Sequence, residues 1–117
     1  MKREIALRLA AGALLATVTS IALKAYAASA CNSCTVTDFY IPPSATNWVW
    51  IGTGVNMGSS CGSSGYLAVK MDTDVGKAFF ALAQTAHLTG KIVDLTGSGS
   101  CTGTGGAEIM SSIWVKP

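Results

Sequence analysis

Four cysteines, Cys31, Cys34, Cys61 and Cys101, all fall after the thirtieth residue of a 117-residue chain, and they constrain its fold more than any other feature. The residues before them read as an export signal. Lys2, Arg3 and Arg8 form a basic start, residues 9–23 carry no charge, and Ala-x-Ala occurs at 25–27 and again at 28–30, where a signal peptidase wants small side chains. The uncharged stretch is shorter than the roughly 20 apolar residues that cross a bilayer. Residues 1–30 are therefore expected to be a signal peptide, cleaved after Ala27 or Ala30, and residues 31–117 a single secreted or periplasmic domain without a membrane span.

An even number of cysteines in a short exported chain reads as two disulfides. Cys61 and Cys101 lie inside similar glycine- and serine-rich loops, 58–65 and 97–106. This pairs them with each other and leaves Cys31 for Cys34. On the chain-entropy account, closing so long a loop removes about 4 kcal/mol of denatured-state entropy, which matters in a domain too small for a large core. Other readings of the cysteines are weaker. Cys31-Asn32-Ser33-Cys34 has no histidine after it for c-type haem, no second close ligand pair for zinc, and no preceding strand for a thioredoxin-like site. Ala28-Ser29-Ala30-Cys31 has the outline of a lipoprotein processing box, but Ala28 stands where leucine is usual and Lys24 interrupts the approach.

Beyond residue 30, Lys70, Lys77, Lys91 and Lys116 stand against Asp38, Asp72, Asp74, Asp94 and Glu108, a net charge of −1 with no arginine. The formal charge of +2 for the whole chain belongs to the signal. A nucleic-acid partner would need a clustered basic face, and this domain has none.

Residue patterning predicts five strands and one helix. Thr35 to Ile41 is rich in β-branched and aromatic residues and stops at Pro42-Pro43. Trp48 to Ile51, Tyr66 to Met71, Lys91 to Thr96 and Glu108 to Lys116 follow as strands. Between the third and fourth, Val75, Phe79, Leu82, Ala83 and Ala86 recur at helical spacing, with Asp72, Thr73 and Asp74 available for the N-cap and Gly90 for the C-cap. The order β-β-β-α-β-β in a mainly β chain this short is that of the OB-fold, a five-stranded barrel.

Strand phase places Val49 and Ile51 inward, and Trp48 and Trp50 outward. In the third strand Tyr66 and Ala68 take the wetter face. In the last strand, Lys116 marks the outer face, which puts Trp114 outside and Ile109, Ile113 and Val115 inside. Trp48, Trp50, Trp114 and Tyr66 are thus the candidate interface or ligand surface, because indoles concentrate at such surfaces. If all three indoles are exposed, a homo-oligomer is expected, and Trp50→Ala or Trp114→Ala should weaken it with little loss of the monomer fold.

No catalytic or cofactor constellation emerges. His87 is the single histidine, with no nucleophile placed beside it by a motif. Asp72 and Asp74 are explained by capping. The run at 97–100 lacks the lysine and the following helix of a phosphate loop. A non-enzymatic role is expected, without metal or cofactor.

The cysteine loop before the third strand, the run Asp74-Val75-Gly76-Lys77-Ala78-Phe79-Phe80-Ala81-Leu82-Ala83-Gln84-Thr85-Ala86-His87-Leu88-Thr89-Gly90-Lys91-Ile92-Val93, and Cys101 before a last strand resemble small secreted OB-fold proteins related to the B subunit of subtilase cytotoxin. The resemblance implies a ring pentamer with helices lining its centre, and sialylated glycans bound on the side of the barrel. The Pro42-Pro43 turn, the Cys31–Cys34 pair and Trp48 and Trp50 depart from that pattern. The implied function is a non-catalytic binding or assembly module for a glycan or partner protein. The alternative is a small secreted structural or inhibitor-like protein whose tryptophans serve only self-association.

Overall fold

A computed structural model describes residues 28–59 and 61–117. Most of the expected signal segment, residues 1–27, lies outside the described residues. The last three do not, because Ala30 already opens a strand. In chain order the elements are β1 (Ala30–Cys34), β2 (Asp38–Tyr40), β3 (Trp48–Gly52), β4 (Tyr66–Lys70), α1 (Asp74–Thr89), β5 (Val93–Gly97) and β6 (Glu108–Val115). The strands form one mixed sheet, ordered β1-β5-β6-β4-β3-β2. Only the β4–β6 pair is parallel.

Over the described residues the chain is therefore mainly β with one helix, but it has six strands where five were expected. The difference lies at the start. The first strand, expected over 35–41, is shortened to β2, and an additional strand, β1, precedes it. These two strands are consecutive in the chain, yet they occupy opposite edges of the sheet, and the ladder does not close between them. Cys31-Asn32-Ser33-Cys34 has little β propensity. It pairs nonetheless, as the outer neighbour of β5, with a register shift between Cys31↔Leu95 and Cys34↔Val93. Ser33 takes a left-handed conformation within that irregularity, at φ 59, and its N–H donates to Asp94 Oδ1 at 2.7 Å.

Both disulfides pair as expected, Cys31 with Cys34 and Cys61 with Cys101, their Cα atoms 6.0 and 6.1 Å apart. They place the described domain among chains suited to an oxidising compartment. With its sulfur bonded to Cys34, Cys31 has none left for a thioether-linked lipid. No helix among the described residues is long and apolar enough to cross a membrane.

Val49, Ile51, Leu67, Val69, Val93, Leu95 and Met110 build the main core, and Ala83 and Ala86 of α1 pack on it. The inward residues of β3 and β4 are those that alternation predicts. Two other expectations fail. In β6, Met110 faces the main core in place of Ile109, while Ile113 and Val115 also pack on it. The ladder pairs Thr96 with Ser112 but Gly97 with Met110, leaving Ser111 as an extra residue. Such a bulge reverses the inside–outside phase along the strand, so a single alternating pattern could not describe β6.

The helix is also rotated from its expected stripe. Its buried residues are Gly76, Ala83 and Ala86, flanked by Phe79 and Phe80, whereas Val75 and Leu82 are exposed. Small residues decide this. A Cβ at Gly76 would overlap the Lys70 carbonyl, so glycine lets the first turn of α1 lie directly on the end of β4. Thr73 caps that turn, its Oγ1 accepting from the Gly76 N–H at 3.0 Å. Gly90, at φ 67, ends the helix and donates to Ala86 O.

Candidate functional site: an aromatic face on β2, β3 and β4

On the sheet face opposite the main core, cross-strand register sets the side chains in rows. Asp38, Gly52 and Tyr66 form one row, and Tyr40, Trp50 and Ala68 the next. Gly52 is required where it stands, since a Cβ there would strike both the Asp38 carboxylate and the Tyr66 ring. Across this gap the Tyr66 hydroxyl donates to Asp38 Oδ2 at 2.6 Å. Thr37 Oγ1 donates to Asp38 Oδ1, also at 2.6 Å. The three rings gather around the gap, with centroids 5.3 Å apart for Tyr40–Trp50, 5.8 Å for Trp50–Tyr66 and 6.5 Å for Tyr40–Tyr66. Tilted contacts of this kind suit the ring quadrupoles.

Alternation predicts the phase of the β3 tryptophans but not their exposure. Trp48 and Trp50 point away from the main core, yet they are only 9% and 7% exposed, in a second cluster with Ala45, Ala68 and Ala107. Their cover is the loop that carries Cys101. Trp50 Nε1–H donates to Thr104 O at 2.9 Å, and the Thr104 hydroxyl donates to Ala107 O at 2.6 Å. Tethering of Cys101 to Cys61 holds this loop on the indoles. Of the four candidate surface residues, Trp50 and Tyr66 meet in the aromatic face and Trp48 lies beneath the loop beside them. Trp114 stands apart on β6 at 64% exposure.

Asp38 and Tyr40 also belong to this face, although no motif in the sequence assigns them a role. Their i, i+2 spacing was the available signal, but which face they share with Trp50 depends on pairing across β2 and β3. Tyr40 is the most accessible ring, 45% exposed. Donation from Thr37, then from Tyr66, holds the Asp38 carboxyl below its usual range, and the charge of His87 adds to this against a desolvation effect. The same bond to Asp38 raises the Tyr66 phenol above 10. His87 itself is placed structurally: its Nδ1–H donates to the Val36 carbonyl at 2.8 Å, and its ring meets Phe39 edge-on.

A depressed carboxylate contributes stability that is present above its unfolded value and lost as pH falls through the folded one; a raised phenol contributes stability present below its unfolded value and lost as pH rises through the folded one. The Asp38–Tyr66 pair is therefore intact across the neutral range. Titrating tyrosine absorbance in a Tyr40→Phe background should show the Tyr66 phenol ionising above its ordinary value, and adding Asp38→Asn should lower it. A Tyr66 phenol that ionises at the same pH with and without the Asp38 carboxylate would contradict the bond.

Chemically, the face offers two carboxylate oxygens as acceptors, a phenol and an exposed ring, with no nucleophile and base set against each other. Among the described residues no group of three or more His, Cys, Asp or Glu side chains is placed to hold a metal. A separate cleft beside the start of α1, lined by Val69, Val75, Phe79 and Met110, has a volume of about 140 Å³, below the roughly 300 Å³ where small-molecule pockets begin. No family model, curated protein or solved structure matches this chain.

Proposed function

We propose that the protein is a secreted, non-catalytic binding module with an OB-type barrel, resembling toxin B subunits, and that it takes a saccharide on the face formed by Asp38, Tyr40, Trp50 and Tyr66. The single observation that carries this reading is the cross-strand row in which Tyr66 reaches over Gly52 to Asp38 beside an exposed Tyr40 ring. A sugar presents an apolar C–H face and a rim of hydroxyls, so a ring to stack on and a carboxylate to receive hydroxyl donors are the complementary pair. The barrel reading is supported by the chain path: residues 35–37 connect the two sheet edges, β4 and β6 run parallel, and α1 lies between β4 and β5. A glycan array probed with the mature protein should show retained glycans, and Tyr40→Ala should weaken them roughly tenfold, the worth of about 1.4 kcal/mol of stacking. Retention of no glycan by the wild type would overturn the saccharide reading.

Self-association is the second reading, and the exposed Trp114 supports it, together with Val75, Leu82 and Leu88 left outside on α1. A homo-oligomer, pentameric by resemblance, would cover these residues with a second copy. The sedimentation behaviour of the wild type against Trp114→Ala decides it: the variant should shift towards monomer, and a monomeric wild type at micromolar concentration would defeat the assembly.

A further inference from the structure

Glu108 is the one acidic or basic side chain fully buried among the described residues, and neither reading above uses it. Its Oε2 accepts the Ser29 backbone N–H at 3.0 Å and the Ser29 hydroxyl at 2.6 Å. Its Oε1 has, among the described residues, one long contact, 3.4 Å, from the Ser59 hydroxyl. Ser29 is itself 3% exposed, and its carbonyl accepts the Gly97 N–H at 2.8 Å. A side chain at Gly97 would overlap Glu108 Oε2 and crowd the Ser29 hydroxyl, so β5 keeps glycine where the serine and the carboxylate meet. Ala30, the next residue, pairs with Thr96. Residues on β5 and β6 thus form a receptor for a serine that lies two residues before Cys31.

The two Ala-x-Ala sites differ in their consequence for this receptor. A cut after Ala30 removes Ser29, takes both Ser29 donors from the buried Glu108 carboxylate and strips Gly97 of its acceptor, which is strongly unfavourable. A cut after Ala27 preserves all of these bonds. We propose that the precursor is processed between Ala27 and Ala28, and that Ser29 of the mature N-terminus locks into the Glu108 receptor to complete β1. This rests on the export reading above. Water supplies the co-reactant: the Ala27–Ala28 peptide bond breaks, hydroxyl adds to the Ala27 carbonyl and a proton goes to the Ala28 nitrogen, which becomes the new amino terminus.

The full precursor, expressed in an exporting host and recovered from outside the cytoplasm, should give an N-terminal sequence starting at Ala28. Ala30→Leu, which closes only the second site, should leave that start unchanged, and Ala27→Leu should abolish it. A wild-type start at Cys31 would overturn the proposal while leaving export intact; a start at Met1 would overturn both. A second measurement tests the lock itself: a chain beginning at Cys31 should melt roughly 10 °C or more below one beginning at Ala28. Equal melting temperatures would refute the role of Ser29.

Discussion

Trp50→Ala is expected to lower the unfolding free energy by about 3–5 kcal/mol, the range for removing a large buried aromatic side chain. The indole lies between Tyr40, Tyr66 and the loop at 101–107, and its N–H is bonded to Thr104 O. Removing it opens a cavity and leaves that carbonyl without its donor. Urea unfolding with an unchanged m value would measure the loss, and a change below about 1 kcal/mol would contradict the packing described here. This reverses the expectation from sequence, in which Trp50→Ala weakened an oligomer and spared the monomer. Trp114→Ala keeps that earlier role, because only Trp114 of the three indoles is substantially exposed.

Cys61→Ser combined with Cys101→Ser should cost about 4 kcal/mol, against about 2 kcal/mol for the short Cys31–Cys34 loop, since the chain-entropy effect grows with the logarithm of loop length. The long disulfide carries a second consequence that the short one lacks. It holds the loop that covers Trp48 and Trp50, so its removal should shift tryptophan emission to the red before the main core unfolds. Removal of Cys31 and Cys34 should leave the emission in place. Identical emission for the two double variants under native conditions would show that the loop covers the indoles without its tether.

Local patterns determined a good deal by themselves. The oxidised state is what an even cysteine number predicts, and both disulfides are present. Disulfide pairing followed from the likeness of two loops, and the structure has the same pairs. Helix α1 and strands β3, β4 and β5 appear close to where periodicity puts them, because each is specified by side chains within one segment: alternating Val49 and Ile51, Leu67 and Val69, and a helical run closed by Thr73 and Gly90.

What tertiary structure decided are relations between segments. β1 has no propensity of its own and forms because β5 has an edge to pair and a disulfide shapes its partner. The Ser111 bulge inverts the phase of β6, and Gly76 against the Lys70 carbonyl turns α1 so that Val75 and Leu82 face out. Trp48 and Trp50 point where alternation says, but burial depends on a loop more than fifty residues away in sequence, and no period within a strand encodes that. The aromatic face has the same origin: Asp38, Gly52 and Tyr66 carry no motif, and they meet only because three strands share one register. Alternation assigns a side chain to a face; only pairing and packing decide what lies opposite it and what covers it.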